Sequence, residues 1–591
     1  MENFLYQFYD SKVILRIQRV VCDNSDELFK SGLFAEVLER CILELSHQNS
    51  RLLRIFPDEN NVTKSDRDRL TRAFLFLAKL PAEQATKLTE NSESFFRDLN
   101  LLSDFVEYLY NFWRNLHRLL VCDSTNDRLD KRPYRTFNDS AEKLMHVVRL
   151  TYRDVQENIT GKSPRIYRQV SAGAEIGAIA LPTKIPFPAS EYEKLNKILM
   201  TRQVLIYPPM IFNSTMNKRS GMFERVDYNP IKDLELDPNE WLCYPAKVGS
   251  LVILIYFSMR YFELGFSLSN LFEMADNEDL KQKPDAIFLF GVPPVGEKNP
   301  AVNETIFYDD EENDILIGTI PYRKEYGYFG YLKKMTLTLH NIKMMKMGRM
   351  PYHGAMFRLV LRGNGFATIL VMGDSGAGKS ETLEALRAIV KDEIEELIIV
   401  ADDMGSLGMD EQGNIIGYGT EMGAFVRLDD LQSGYAFGQI DRTIIMNPDQ
   451  VNARVVLPVT KYEEVIRGYP VDMVLYANNY EEIDAEHPVI ESFSSAEEAL
   501  SVFRAGAVMS KGTTTTTGLV NSFYANIFGP PQYPETQERI AQEYFRNFYS
   551  KGLFVGQMRT QLGVSGKEHE GPQIAAQALL TLIKTIHQNH Q

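Results

Sequence analysis

Cysteine is scarce in this chain of 591 residues, and positive charge is in deficit. The four cysteines, Cys22, Cys41, Cys122 and Cys243, are scattered and form no CxxC pair. This pattern excludes a disulfide-based scaffold and is typical of reduced core residues in a cytosolic protein. The formal net charge of −15 argues against a non-specific nucleic-acid binder, because such proteins need basic patches that neutralise phosphates.

Long apolar runs are also missing. The longest, Leu251–Phe257, is far shorter than a membrane span, and the first residues lack the basic and apolar segments of a signal peptide. We therefore expect a soluble, cytoplasmic protein without a membrane partner. The length predicts two or three domains, each with its own core.

The character of the sequence changes along the chain and predicts three regions. Residues 1–160 carry apolar residues at helical spacing, and the stripe over Phe95–Cys122 predicts one long helix. No ligand chemistry is apparent there, so we expect a helical accessory domain for packing, regulation, oligomerisation or contact with a protein partner. Residues 165–334 and 335–575 hold short β-branched runs, which predict an α/β fold.

The most informative segment is Gly373–Ser380, a complete GxxxxGKS phosphate-binding loop. It follows Ala367–Met372, an apolar run that predicts a buried strand, and precedes residues at helical spacing. In such loops the backbone N–H groups and the helix N-terminus bind phosphates, the lysine reaches the β and γ oxygens, and the serine coordinates Mg²⁺. The predicted nucleotide-binding residues of this segment are Gly373, Asp374, Ser375, Gly376, Ala377, Gly378, Lys379, Ser380 and Glu381.

Two acids follow the next apolar run. Asp402 and Asp403 directly follow a predicted strand. In phosphate-loop enzymes, carboxylates at the end of such a strand hold the metal ion. The alternative is a strand that simply ends in an Asp-rich turn. Judged by spacing alone, Lys333 and Lys334 would be a solvated surface pair, and His353 would be a structural histidine.

Taken together, these segments resemble the ATP-dependent phosphoenolpyruvate carboxykinases. That family carries a Tyr-x-Gly-Glu-Met-Lys-Lys stretch, a Met-His pair, a phosphate loop, a strand that ends in Asp-Asp, and an Asn-Thr-Arg stretch. The similar segments here, in the same order, are Tyr328–Lys334, Pro351–His353, Gly373–Ser380, Ala401–Asp403 and Asn452–Pro458. The resemblance implies a two-lobed α/β core, with a substrate lobe over 165–334 and a nucleotide-binding lobe over 335–575.

The resemblance also implies roles for individual residues. It places Mn²⁺ on Lys334, His353 and Asp403, beside the Mg²⁺ that Ser380 binds with ATP, and Lys334 can bind a metal only as the neutral amine. The catalytic residues that it implies are Lys333, Lys334, Lys379, Asp402, Arg454 and Arg219, with Arg454 at the transferring phosphoryl group. Glu421 and Arg427 match a family stretch near the nucleotide.

Departures from the family leave the acceptor open. Arg219 is the nearest match to the arginine that binds the substrate carboxylate, Tyr331 replaces a glutamate, and the lid carries Thr513–Thr517 instead of a Glu-Arg pair. The phosphate loop looks more like that of HPr kinase/phosphorylase. We expect conversion of oxaloacetate and ATP to phosphoenolpyruvate, ADP and CO₂. The alternatives are a kinase on the same scaffold, acting on another small molecule or a protein hydroxyl, and a non-catalytic nucleotide-binding regulator.

Overall fold

The computed structural model describes residues 4–9, 12–17, 21–122, 133–168, 176–206, 210–293, 304–363, 365–389, 394–428, 431, 440–511 and 517–589. It contains about 40% helix and 28% strand in several mixed sheets, which confirms the mixed α/β class. Contacts divide the chain into two compact units, Met1–Pro164 and Arg165–Gln591. Within these described ranges, no helix has the length and apolar character needed to cross a membrane.

The first unit packs helices with a small sheet. Its elements are β1 (Phe4–Tyr9), β2 (Lys12–Ile17), α1 (Ser25–Lys30), α2 (Gly32–His47), α3 (Lys64–Leu77), α4 (Ala82–Leu88), α5 (Glu93–Phe96), α6 (Leu99–Asn115), β3 (His117–Cys122) and α7 (Pro133–Thr160). Strand β2 lies between its neighbours, antiparallel to β1 and parallel to β3. Apolar residues at helical spacing, such as Leu38, Cys41 and Leu45 of α2, form the core.

The prediction of one helix over Phe95–Cys122 is wrong. Helix α6 begins after Asp98, whose carboxylate accepts hydrogen bonds from the N–H groups of Asn100 and Leu101. It ends at Asn115, and the chain continues as β3, which pairs with β2. A short apolar run fits a strand as well as a helix, and only the pairing partner decides between them.

The predicted core cysteines are confirmed where the structure describes their side chains. Cys22, Cys41 and Cys243 are buried and unpaired. Burial raises the pKa of the Cys22 thiol to about 12, with Glu27 and Asp23 adding to the shift. The side chain of Cys122 and most of the Thr513–Thr517 tract lie outside the described residues.

The second unit contains two large sheets and two small ones. The elements of its first half are β4 (Ile166–Arg168), β5 (Ile176–Leu181), β6 (Leu199–Ile206), β7 (Met210–Phe212), β8 (Glu224–Val226), β9 (Trp241–Val248), β10 (Leu251–Ser258), α8 (Phe262–Ser267), β11 (Glu273–Met274), β12 (Ala286–Val292), β13 (Ile306–Asp310), β14 (Ile315–Pro321) and α9 (Phe329–Lys346).

The second half supplies the remaining elements of this unit. They are β15 (Met350–Leu361), β16 (Gly365–Met372), α10 (Lys379–Ile389), β17 (Ile394–Ala401), β18 (Met404–Met409), β19 (Ile415–Gly419), β20 (Gly423–Arg427), β21 (Ile444–Met446), β22 (Arg454–Pro458), α11 (Tyr462–Ile466), β23 (Tyr469–Pro470), β24 (Met473–Asn478), β25 (Ile490–Ser492), α12 (Ala496–Ala505), β26 (Ala507–Lys511), β27 (Thr517–Asn521), α13 (Pro534–Ser550), β28 (Phe554–Arg559) and α14 (Glu570–Asn589).

The two large sheets differ in strand order and are joined by a shared helix. The first runs β4-β6-β9-β10-β12-β14-β13-β8, and the second runs β23-β19-β18-β15-β16-β24-β28-β25. Helix α9 is apolar and buried on nearly all sides, as expected for a helix with packing on every face. It contacts β12 and β14 of the first sheet and β15 and β18 of the second. The N-terminal turns of α9 therefore hold Lys333 and Lys334 between the two sheets.

Two small sheets complete the surroundings of this region. One runs β20-β22-β21-β7 and so combines a strand from the first half of the unit with three from the second half. The other is the β26–β27 hairpin. The parallel strands β16, β24 and β28 are adjacent in the second large sheet, so their C-terminal ends share one edge.

Candidate active site

The phosphate-binding loop connects β16 to α10, as predicted. Gly376 and Gly378 have φ angles of +81° and +94°, which side-chain-bearing residues rarely adopt. A Cβ on Gly378 would lie 2.5 Å from the Thr560 hydroxyl oxygen, so this position also has no room for a side chain. Lys379 is buried, and its ammonium donates to the carbonyl oxygens of Gly373 at 2.7 Å and Asp374 at 2.9 Å. Burial lowers the pKa of Lys379.

Two residues that the sequence did not single out support this loop from the neighbouring strands. Thr560, directly after β28, donates its hydroxyl to the Ala377 carbonyl at 2.7 Å. Asn479, directly after β24, donates its amide to the Gly376 carbonyl at 2.9 Å. In the sequence, the one feature that marks Thr560 and Asn479 is that each is a polar residue directly after an apolar strand. Together they fix the loop at the edge shared by three parallel strands.

Asp402 and Asp403 follow β17 and face different partners. Ser380 donates its hydroxyl to Asp402 Oδ1 at 3.2 Å, so the phosphate loop and this carboxylate meet. Burial raises the pKa of Asp402, and the Asp403 charge adds to this shift. Burial also acts to raise the pKa of Asp403, but Lys333 and Lys334 outweigh it and hold that pKa well below its usual range.

Lys333, Lys334 and His353 surround Asp403. The ammonium groups of Lys333 and Lys334 donate to Asp403 Oδ2 at 2.7 and 2.6 Å, and His353 Nε2 lies 2.9 Å from Oδ1. Burial lowers the pKa of Lys334 to about 8, and the adjacent Lys333 charge contributes to this although Asp403 opposes it. The neutral amine of Lys334 is therefore accessible near pH 8. Neither lysine is a solvated surface cation.

The protonation pattern at His353 fits a bound cation. His353 Nδ1 lies 2.8 Å from the Ala525 carbonyl, which can only accept, so Nδ1 carries the hydrogen. Burial lowers the pKa of His353, and Lys379 adds to this shift. In the neutral ring the Nε2 lone pair faces an oxygen of Asp403 at 2.9 Å, and either a proton shared by the two atoms or a metal cation bound by both stabilises this contact. A donor set that includes nitrogen favours a transition-metal ion such as Mn²⁺ over Ca²⁺, which prefers sites made of oxygen alone.

Glu421 lies behind this cluster. Its Oε1 is 3.0 Å from Lys333 Nζ, an ion-pair distance, and within the described part of the chain neither oxygen of this carboxylate accepts a hydrogen bond of good geometry. Burial raises the pKa of Glu421 to about 7 against the opposing charge of Lys333. Burial would lower the pKa of Lys333, but Asp403 and Glu421 outweigh it and hold the pKa above its ordinary value. Lys333 is thus a permanent buried cation between two carboxylates.

Two arginines lie opposite each other on β20 and β22. Arg427 and Arg454 form a directly opposed pair in this antiparallel register, so their side chains share one face. The Arg454 guanidinium lies 5.4 Å from the ring centre of Phe425, a distance at which cation–π attraction operates. Both arginines line the same cleft as the phosphate loop.

Arg219 lines the same cleft from a loop before β8. Its guanidinium lies 4.9 Å from the ring centre of Phe528 and donates to the Gly221 carbonyl. The Tyr331 hydroxyl accepts a hydrogen bond from the Ser220 N–H at 3.1 Å. Tyr331 therefore supports the loop that carries Arg219.

Most of the predicted site residues line one cleft of about 510 Å³. Those that line it are Arg219, Lys334, Asp374, Ser375, Gly376, Gly378, Lys379, Ser380, Glu381, Asp402, Asp403, Arg427 and Arg454. Lys333, His353, Gly373, Ala377 and Glu421 are not part of its wall. Of these, Lys333 and His353 are buried beside Asp403, and Glu421 is buried beside Lys333. Within the described ranges, no group of three or more His, Cys, Asp and Glu side chains is placed to hold a metal.

No protein-family model matches this chain, and no curated protein matches it closely enough to indicate a relationship. The function therefore has to be inferred from the cleft, which contains the phosphate loop, the two adjacent aspartates and several cationic side chains. Its volume lies within the usual range for sites that bind small molecules and cofactors.

Proposed function

We propose that this chain is an ATP- and divalent-metal-dependent enzyme of the phosphoenolpyruvate carboxykinase type, with a two-lobed α/β core and a nucleotide-binding lobe over 335–575. It would convert oxaloacetate and ATP to phosphoenolpyruvate, ADP and CO₂. The observation that carries the proposal is that one cleft is lined by the phosphate loop, by Lys334 with Asp403, and by Arg454, and that Arg219 faces the same space.

In this proposal the nucleotide and the cations have defined protein ligands. Lys379 and the N-terminus of α10 bind the β and γ phosphates, and Ser380 with Asp402 holds Mg²⁺. The nitrogen and oxygen atoms of Lys334, His353 and Asp403 hold Mn²⁺. Divalent cations in such a site neutralise charge on the phosphoryl oxygens and orient the substrates.

The chemistry needs no proton transfer by the protein. The bond to the departing carboxylate of oxaloacetate breaks, CO₂ leaves, and the electron pair remains on an enolate. The enolate oxygen then attacks the γ-phosphorus while the bond to ADP breaks. Arg454, Arg427 and Lys379 place positive charge around the transferring group, which is the main protein contribution to phosphoryl transfer. Arg219 binds the remaining substrate carboxylate.

Replacing Arg219 tests the organic-acid half of the proposal. A charge-assisted hydrogen bond contributes about 1.5–3 kcal/mol, so Arg219→Gln should raise the KM for oxaloacetate by roughly 10- to 100-fold while the KM for ATP stays within about twofold. Lys218→Gln, at the exposed neighbouring position, is the matched control and should change neither value. An unchanged KM for oxaloacetate in Arg219→Gln would remove the carboxylate-binding role.

A kinase on the same scaffold is the second candidate, and two observations favour it. Tyr331 stands where the family has an acid, and Met222, at the acceptor end of the cleft, is 52% exposed. This end therefore opens to solvent and could admit an acceptor larger than oxaloacetate, including a hydroxyl on a protein. The raised pKa of Asp402 would suit a base for such a hydroxyl.

We infer an accessory role for residues 1–160. The part of this segment that the structure describes has its own buried core and contributes no side chain to the cleft. Oligomerisation, regulation or binding of a protein partner in the cytoplasm would fit such a unit. Neither a nucleic acid nor a membrane is proposed as a partner.

A further inference from the structure

A strained turn follows the β26–β27 hairpin. Tyr524 and Ala525 have φ angles of +54° and +52°, so two consecutive residues other than glycine are left-handed. Residues with a Cβ seldom adopt this conformation, and they keep it only where the surrounding structure holds them. Clusters of such residues are concentrated at functional sites. We call residues 522–526 the strained turn.

Several contacts hold the strained turn in place. The Ser522 N–H donates to the Gly506 carbonyl at 3.2 Å, and the Ala525 N–H donates to the Ser522 carbonyl at 2.7 Å. The Tyr524 hydroxyl donates to Glu538 Oε2 at 2.8 Å. A Cβ on Gly506 would lie 1.9 Å from the Ser522 carbonyl oxygen, so only glycine permits this approach. The neighbouring helices thus fix the turn.

The strained turn touches both halves of the phosphoryl-transfer site. At one end, the Ser522 hydroxyl donates to Asp374 Oδ2 in the phosphate loop at 2.7 Å. At the other end, the Ala525 carbonyl accepts from His353 Nδ1 at 2.8 Å. Ala525 is 1% exposed, and so is His353, which leaves the imidazole little freedom once this bond is made.

We propose that the strained turn is a positioning element, which orients His353 toward Asp403 and ties that orientation to the phosphate loop through the Ser522–Asp374 hydrogen bond. The inference rests on the proposed function in one respect, the assignment of His353 as a Mn²⁺ ligand. Ser522 contacts neither metal ligand directly. Its effect on the metal would pass through the turn or through Asp374, whose Oδ1 lies 3.6 Å from His353 Nδ1.

A metal-binding histidine depends on the partner of its second ring nitrogen. That partner fixes the tautomer and the ring orientation, and its loss typically weakens metal binding about 10- to 100-fold. Here the partner is a backbone carbonyl, so it can be displaced only by moving the turn. Ser522 is one contact further from the metal, so its removal should have a smaller effect, about three- to tenfold in Mn²⁺ affinity.

Binding of Mn²⁺ alone, followed by electron paramagnetic resonance without nucleotide, measures this effect on the full chain. The Ser522→Ala variant removes one hydroxyl, and Ser550→Ala is its matched control. The Ser550 hydroxyl is exposed and, within the described part of the chain, bonds only to Asn547 of its own helix. Ser522→Ala is also made in an Asp374→Ala background, where the hydrogen-bond partner of Ser522 is already absent. His353→Ala identifies the site, and thermal unfolding confirms that each variant folds.

We expect Ser522→Ala to raise the Mn²⁺ Kd about three- to tenfold, Ser550→Ala to leave it unchanged, and Ser522→Ala to have less than a twofold effect in the Asp374→Ala background. A wild-type Kd in Ser522→Ala would overturn the inference, and so would an equal effect in both backgrounds. If His353→Ala binds Mn²⁺ as tightly as the wild type, the metal assignment of the proposed function fails, and this inference fails with it.

Discussion

Lys333 is the residue whose removal should most disturb the buried centre of the site. It is 1% exposed, and its ammonium lies 2.7 Å from Asp403 and 3.0 Å from Glu421. Replacing it with methionine keeps a similar volume but leaves the buried Glu421 carboxyl without its cation, while Asp403 keeps its contact with Lys334. Removal of one partner from a buried ion pair costs about 3–5 kcal/mol, because the other charge stays desolvated.

The pKa of Glu421 determines how this cost varies with pH. Its pKa in the folded protein is raised to about 7, so the folded state binds this proton more readily than the unfolded state does. The stability from this group is complete below about pH 4.5 and is lost as the pH rises through about 7. Without Lys333 the carboxylate takes up a proton still more readily. We therefore expect Lys333→Met to lose about 3 kcal/mol near neutral pH and less near pH 5.

The assay must report on the second unit alone, because a chain of two units need not unfold in one step. The chain has two tryptophans, and Trp241 belongs to β9 of that unit and is 3% exposed. In a Trp113→Phe background, Trp241 fluorescence follows the unfolding of this unit in urea. The same titration at pH 5 and pH 7.5 gives the pH dependence.

Two controls separate this mechanism from a general loss of packing. Lys281→Met breaks an exposed pair with Glu278 and should cost less than about 1 kcal/mol. Adding Glu421→Gln to Lys333→Met removes the carboxyl group that has lost its cation and should restore a substantial part of the lost stability. The reasoning is refuted if Lys333→Met is within 1 kcal/mol of the background, or if the double variant is no more stable than the single one.

Three further outcomes follow from the geometry of the cleft. Lys379→Ala should lower kcat by about 10²- to 10³-fold with an unchanged circular dichroism spectrum, whereas wild-type turnover would contradict the phosphate-binding role. The Mn²⁺ Kd without nucleotide should fall as the pH rises toward about 8, where Lys334 loses its proton, and a Kd that is constant from pH 6 to pH 8 would exclude the amine as a ligand. His353→Ala should raise the Mn²⁺ concentration needed for activity much more than the KM for ATP, and superimposable Mn²⁺ titrations would assign His353 a structural role.

The parts of the site that the sequence predicted are those held by local chain geometry. Ala367–Met372 lies in β16, the loop Gly373–Ser380 leads into α10, and Asp402 with Asp403 directly follows β17. Each of these segments forms a strand, a turn or the start of a helix, and the residues of the segment itself are sufficient to predict that structure. The grouping of Lys334 and His353 with Asp403 was expected only from the resemblance, since spacing alone suggested a surface lysine and a structural histidine.

The residues that the sequence did not reveal are brought in by long-range packing. Asn479, Ser522 and Thr560 each contact the phosphate loop from positions about a hundred or more residues away in the chain. No local pattern marks a polar residue for such a role, because the role depends on which strands become neighbours. The same reason explains the error over Phe95–Cys122, where pairing with β2 converts the end of an apolar stripe into a strand.

The central claim is that phosphoryl transfer in this cleft is coupled to loss of CO₂ from oxaloacetate. Purified protein with oxaloacetate, ATP, Mg²⁺ and Mn²⁺ should release one CO₂ for each ADP formed, after subtraction of the spontaneous decarboxylation measured with Lys379→Ala. Phosphoenolpyruvate should appear in the same amount. ADP formation without matching CO₂ would assign the cleft to a kinase for another acceptor, and CO₂ release without ADP would contradict the coupled reaction.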